Sequence, residues 1–200
     1  MRNIAVFASG NGSNFQAIID VIQMGELDAN ISLLVCDRPG VYAIERAKKS
    51  GIPSFVFNPK EYSSKEDYEK DITTELKSLG VEFVVLAGYM RLIGPTLLNE
   101  YEGKIVNIHP SLLPDFPGKD AIGQALRSGV KVSGVTIHFV DAGMDTGPII
   151  VQERVRIEDN ETIESLQKKI HAVEHKLYPS ILQMLLVQGD VLYGNKARTY

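Results

Sequence analysis

Short apolar runs alternate with longer amphipathic ones through the first half of the chain. Asn3–Ala8, Ile31–Cys36, Glu82–Leu86 and Lys104–Ile108 are rich in β-branched residues and bounded by polar or glycine positions, the pattern of buried strands. Asn14–Met24, Val41–Ser50 and Lys65–Leu79 have helical spacing, and in the last of them Ile72, Leu76 and Leu79 fall on one stripe. Strands that alternate with helices predict right-handed βαβ units around a parallel sheet. The second half differs. Val132–Val140 and Pro148–Ile157 are long strand-like runs joined by the polar loop Asp141–Gly147, which predicts an antiparallel addition. From Thr162 to Val187, apolar Ile163, Leu166, Ile170, Val173, Leu177, Ile181 and Met184 recur at helical spacing, predicting one long helix kinked by Pro179. No repeat or linker interrupts the pattern. The expected fold is therefore α/β: a Rossmann-like open, mostly parallel sheet flanked by helices, with an antiparallel C-terminal strand addition, in a single domain over residues 1–200.

Composition narrows the function. A chain of 200 residues buries roughly 70% of its unfolded surface, so the core needs no covalent staple. The single cysteine, Cys36, excludes an internal disulfide and a multi-cysteine metal centre. Lys and Arg number 21 against 25 Asp and Glu, and a net charge of −4 argues against nucleic acid as the main partner. A local pocket for a small anion stays possible. The first apolar run is too short for a signal peptide and is broken at Gly10-Asn11-Gly12. No stretch approaches the ~20 apolar residues of a membrane span. A cytoplasmic protein without membrane or nucleic-acid partners is expected.

Four constellations carry candidate chemistry. Ser9-Gly10-Asn11-Gly12-Ser13-Asn14 follows the first strand and opens the first helix, where free N–H groups and the helix dipole favour an anion. The plain alternative is a tight turn with Ser13 or Asn14 as the N-cap. A dinucleotide loop would need a third glycine, but Phe15 follows Asn14; Asp37, at the end of strand two, could stand as its ribose-binding acid. In Asn107-Ile108-His109-Pro110, strand alternation sends Asn107 and His109 to one side, and the proline places them at the carboxyl end of the strand. An amide donor beside an imidazole can hold an oxyanion while a proton moves. The loop Asp141–Gly147 offers acids that could reach His109 and favour its charged form, and the residues alone leave open which. His171-Ala172-Val173-Glu174-His175 matches a zinc pattern, but Asp190 is the sole acid after it, so it reads as a polar helix stripe.

Longer segments are more specific. Asn107 to Gly118, Gly134 to Val140, Met144 to Pro148, the opening Ser9–Asn14 and Leu86-Ala87-Gly88-Tyr89-Met90-Arg91 together closely resemble the phosphoribosylglycinamide formyltransferases, almost end to end. The resemblance implies transfer of a formyl group from 10-formyltetrahydrofolate, a co-substrate, to the amine of glycinamide ribonucleotide, with no metal, NAD or ATP. It implies a catalytic triad of Asn107, His109 and Asp145. Gly12, Ser13 and Asn14 match residues that hold the ribonucleotide phosphate, and His171 and Glu174 match helix positions that meet the rest of that substrate. For the folate the match gives Lys65, Met90, Arg91, Leu92, Ile93, Asn107, Asp141, Ala142, Gly143, Met144 and Asp145. Residues 1–100 would then be the phosphate-binding half and 101–200 the folate and catalytic half of a monomer or homodimer. Two positions depart from the family. Lys65 stands where relatives often have arginine and cannot make the same two-pronged contact with a carboxylate. Ala142 stands where they often have an acid.

Sister enzymes share several of these elements. Methionyl-tRNA formyltransferase carries a further C-terminal domain, and formyltetrahydrofolate hydrolase an N-terminal regulatory one. A chain of this length and charge is expected to be neither. From other classes, a Rossmann-like nicotinamide oxidoreductase and a non-catalytic folate-binding module remain as alternatives.

Overall fold

The first strand shows how the molecule is layered. In β1 (Arg2–Ala8), Ile4, Val6 and Ala8 face one apolar cluster while Ala5 and Phe7 face another on the opposite side of the sheet. A strand buried on both faces reads as an unbroken apolar run, and both faces are covered by helices. The structure is a computed structural model that describes residues 1–188; the end of the expected domain, Asp190 included, lies outside the described residues.

The chain continues through α1 (Ser13–Gln23), β2 (Ala29–Cys36), α2 (Tyr42–Lys49), β3 (Ser54–Val56), a 3-10 turn (Pro59–Glu61), α3 (Lys65–Ser78) and β4 (Phe83–Leu86). There follow α4 (Pro95–Glu100), β5 (Ile105–His109), α5 (Ala121–Ser128), β6 (Val132–Phe139), β7 (Ile149–Arg156) and α6 (Ile163–Gln188). The seven strands form one sheet in the order β3-β2-β1-β4-β5-β6-β7. Pairing is parallel from β3 to β5 and antiparallel from β5 to β7. The mostly parallel sheet with an antiparallel C-terminal addition is thus the observed architecture.

Strand order reverses between β1 and β4. In open α/β sheets the crevice beyond the carboxyl ends of such a pair is where ligands bind. Here it is framed by the loop after β1 and the loop after β4, joined by the Ser9 N–H donating to the Gly88 carbonyl at 3.1 Å. The long helix α6 packs one side of the sheet, burying Leu166, Ile170, Tyr178 and Leu182. The Tyr178 hydroxyl lies within donating distance of the Leu86 and Val106 carbonyls, 2.8 and 3.2 Å away, and so fastens α6 to β4 and β5 beside the crevice. Pro179 lies within α6 without ending it.

Some boundaries move for physical reasons. β5 runs one residue further than the apolar pattern indicates, because His109 pairs with Thr136 across the antiparallel junction. The N-cap of α1 is Gly12 rather than Ser13 or Asn14. At φ +73°, Gly12 adopts the left-handed backbone, and a Cβ there would lie 2.9 Å from the Ala43 Cβ.

Candidate active site

β5 delivers Asn107 and His109 to one face of the sheet, and the antiparallel register sets His138 opposite Asn107. Asp145 arrives from the β6–β7 loop at φ +55°, a left-handed conformation that costs a non-glycine residue about 1–2 kcal/mol. Its carboxylate meets both strand residues. Oδ2 lies 3.4 Å from His109 Nδ1 and accepts from the Gly118 N–H at 2.8 Å, while Oδ1 faces Asn107 Nδ2 at 3.4 Å. The other imidazole nitrogen, His109 Nε2, lies 2.9 Å from the Phe116 carbonyl. Both ring nitrogens of His109 therefore face acceptors, and only the doubly protonated ring donates to both. His138 is different. A carbonyl can only accept, so its 2.8 Å contact with the Phe139 carbonyl puts the proton on Nδ1. Nε2 faces both Asn107 Nδ2 at 3.2 Å and Asp145 Oδ1 at 3.6 Å, so a neutral ring accepts from the amide and a protonated ring turns its proton to the carboxylate. Burial on its own would raise the Asp145 carboxyl, but the His138 and Gly118 hydrogen bonds and the nearby imidazoles outweigh it and hold the group below its ordinary range.

The loop after β1 presents the first turn of α1 with no side-chain cap, leaving backbone N–H groups open to an anion. Arg46 on α2 fixes this loop. Its Nε donates to the Asn11 carbonyl at 2.8 Å, and its two terminal nitrogens donate to Asn11 Oδ1 and Gln16 Oε1. Asn14 Nδ2 donates to Glu174 Oε2 at 3.1 Å, and Asn14 Oδ1 is buried without a hydrogen-bond partner. Glu174 is 4% exposed, and burial pushes its carboxyl up to about 7 against the pull of the Asn14 amide. Burial also lowers both neighbouring imidazoles, His171 and His175, whose rings stack at 5.9 Å. Among the described residues no group of three or more His, Cys, Asp or Glu could hold a metal. A cleft of about 350 Å³ runs along the outer face of α1 past Ser13, Gln16, Asp20, Arg46 and His175, and does not include the Asn107–His109–Asp145 cluster.

The segment after β4 forms another wall. Met90 and Leu92 are about half exposed, whereas Ile93 is 5% exposed and packs into the core with Tyr68 and Leu97. Of the residues expected to meet a folate there, Ile93 can offer only its backbone. Lys65, exposed at the start of α3, reaches the end of this segment: a Cβ on Gly94 would lie 2.8 Å from the Lys65 Cε. In the β6–β7 loop, Asp141 Oδ1 accepts from the Gly143 N–H and the Thr146 hydroxyl, so this acid folds the loop while Asp145 reaches the imidazole. Ala142 and Met144 are exposed.

Several neighbours of the cluster were not singled out by sequence reasoning. His138 and Thr136 follow from strand alternation once the β5–β6 register is known. Phe116 contributes a carbonyl from a φ of +54°, which no side-chain pattern announces. Asp37, weighed as a ribose-binding acid, is 3% exposed, with one oxygen taken by the Ser9 hydroxyl and the other by Arg91. It presents nothing to a ribose.

Residues 2–182 match the family model described as Formyl transferase. The chain is 56% identical over 186 residues to phosphoribosylglycinamide formyltransferase of Bacillus subtilis, covering 93% of this chain and 95% of that protein. It is 44% identical over 193 residues to the trifunctional purine biosynthetic protein adenosine-3 of Drosophila melanogaster, spanning 96% of this chain but 14% of that protein. Its fold superposes on a crystal structure of glycinamide ribonucleotide transformylase 1 from Geobacillus kaustophilus with a TM-score of 0.91 and 62% identity, covering 93% and 99% of the two chains. A catalytic-type cluster of amide, imidazole and carboxylate thus sits at the carboxyl end of β5, beside the switch point of a sheet matched nearly end to end, and the chain belongs to the formyl transferase family.

Proposed function

We infer that this chain transfers the formyl group of 10-formyltetrahydrofolate to the amine of glycinamide ribonucleotide, the third step of purine synthesis. The observation that carries the reading is the convergence of Asn107, His109 and Asp145 in a formyl transferase 56% identical to a phosphoribosylglycinamide formyltransferase.

The chemistry explains these residue types. The amine attacks the formyl carbon, a C–N bond forms, and the carbonyl electron pair moves onto oxygen. The tetrahedral centre carries a negative oxygen and a positive nitrogen. Folate N10 leaves poorly unless it is protonated, so one proton passes from the attacking nitrogen to N10. The C–N10 bond then breaks, giving tetrahydrofolate and the formylated amide. Asn107 donates an amide N–H to the oxyanion, a contact whose loss typically costs about 2.7–4 kcal/mol of barrier. His109 carries the proton, worth roughly 10²–10⁴-fold. The Phe116 carbonyl holds its Nε2 proton until a substrate nitrogen competes for it, and Asp145 favours the charged ring and can hold a relaying water. Placing both substrates side by side supplies the rest as effective concentration.

Gly12, Ser13 and Asn14 take the ribonucleotide phosphate on the open turn of α1, and His171 and Glu174 meet the remainder of that substrate. The folate lies along Lys65, Met90, Arg91, Leu92, Ile93, Asn107 and the loop from Asp141 to Asp145. Lys65 serves its carboxylate as a point charge, and Ala142 contributes backbone alone. The reading describes one domain over residues 1–200, phosphate-binding in 1–100 and folate-binding and catalytic in 101–200. It describes a cytoplasmic monomer or homodimer acting on small molecules, with no metal, nicotinamide or ATP. No helix among the described residues is long and apolar enough to cross a membrane.

The test is a product assay. Purified protein mixed with both substrates, EDTA and no ATP should yield formylated glycinamide ribonucleotide and tetrahydrofolate. No product at saturating substrate, or formyl transfer to water or methionyl-tRNA instead, would overturn the reading.

A further inference from the structure

Asp37 follows β2 at the same edge of the sheet, and the chemistry above makes no use of it. A carboxylate this deeply buried stays ionised only where charge-assisted donors replace its water. Here the Ser9 hydroxyl donates to Oδ1 at 2.5 Å and Arg91 Nε donates to Oδ2 at 2.7 Å. The Ser9 oxygen in turn accepts the Met90 backbone N–H at 2.9 Å. One buried anion therefore holds, directly or through a single hydroxyl, two consecutive residues of the loop after β4. The Arg91 side chain is 39% exposed, so it is anchored at Nε while part of it still reaches solvent. Met90, tied down by its backbone N–H, leaves its side chain half exposed. Ser9 also begins the loop that leads to Gly12, so the anchor lies between the two walls of the crevice.

The geometry points to Asp37 as a positioning residue for folate binding: through Arg91 and Ser9 it sets how Met90–Ile93 is presented to 10-formyltetrahydrofolate. This rests on the folate assignment of the preceding section. It also explains why an acid stands at the end of β2 in a sheet of this type without contacting a ribose. The neighbouring Arg38 is exposed, so a buried anion at this position is not needed merely to balance charge at the strand end.

Asp37→Asn keeps the shape of the side chain but removes its charge and sets an amide NH2 against either the Arg91 guanidinium, which can only donate, or the Ser9 hydroxyl, which must then turn from donor to acceptor. It should raise KM for 10-formyltetrahydrofolate roughly tenfold, the worth of one charge-assisted hydrogen bond. KM for the ribonucleotide and kcat should stay within about twofold. Ser9→Ala removes only the hydroxyl, should act in the same direction, and serves if the Asp37 variant fails to fold. Amide hydrogen exchange gives a readout independent of turnover: Met90 should exchange roughly tenfold faster in either variant, while Ile18 in α1 keeps its rate. Turnover by the wild type with an unchanged folate KM in the variants, or with equal losses for both substrates, overturns this inference alone. No turnover by the wild type overturns formyl transfer itself, and unchanged exchange at Met90 removes the anchor whatever the activity.

Discussion

Asp145 is partly buried and Glu174 fully so, and their carboxyls are pushed in opposite directions because burial dominates at Glu174 and hydrogen-bonding partners at Asp145. Asp145 has imidazoles and a backbone N–H around it and is held below the ordinary carboxyl value of 3.8. Its contribution to stability is fully present above that value and is lost as pH falls through the lower folded one. Removing the anion also removes what favours the charged His109 ring. Asp145→Asn should therefore shift or flatten the acidic limb of the pH–rate profile, and an unchanged profile would deny Asp145 that role. Glu174 has one amide donor, with His171 Nε2 3.9 Å away, and burial raises its carboxyl from 4.5 to about 7. A raised acid binds its proton more tightly folded than unfolded, so stability falls as pH rises from about 4.5 to about 7, at up to about 1.4 kcal/mol per unit. Glu174→Gln should flatten that decline in urea-melt midpoints measured across the interval. A decline of the same size in the variant would place its cause elsewhere.

At the scale of elements, the junctions after β1 and around β5 do most to form the site. Gly12 serves as both a left-handed N-cap and a point of near contact between α1 and α2. Gly12→Ala combines a strained φ with a Cβ 2.9 Å from the Ala43 Cβ, so α2 must shift and take Arg46 with it. The expected cost is about 1–3 kcal/mol in a denaturant melt, with a raised KM for the ribonucleotide. Wild-type stability and KM would contradict the close fit. The long elements were legible because periodicity over many residues averages out local noise: β1, α3 and α6 differ from their sequence-based spans by a residue or two. β3, α4 and α5 were not legible. Ser54–Val56 is too short for alternation, Pro95–Glu100 is barely a turn and a half, and Gly123 hides the helical spacing of Ala121–Ser128. What forms α4 is remote: Glu69, a full helix earlier, accepts the Gly94 N–H at 2.6 Å where that helix begins.

For the whole molecule, the strand order places the loops after β1 and β4 side by side, and the antiparallel turn into β6 and β7 returns Asp145 to the end of β5. Asn107 and His109 could be grouped from two-residue spacing alone. Asp145 could be attached to them only through the family resemblance, since Asp141 in the same loop satisfies the same local rule. Ser9, Asp37 and Arg91 are separated by 28 and 54 residues, so no local pattern could join them. On the proposed assignment the surface need not be basic, since a loop and a helix end would meet the phosphate rather than a field. The most direct test compares steady-state turnover and ribonucleotide binding in the wild type and in His109→Phe. Wild-type protein should form formylated glycinamide ribonucleotide without ATP, and His109→Phe should lose roughly 10²-fold or more in kcat with ribonucleotide affinity within a few-fold. Equal losses in kcat and affinity, or a variant as fast as the wild type, would contradict formyl transfer by this imidazole.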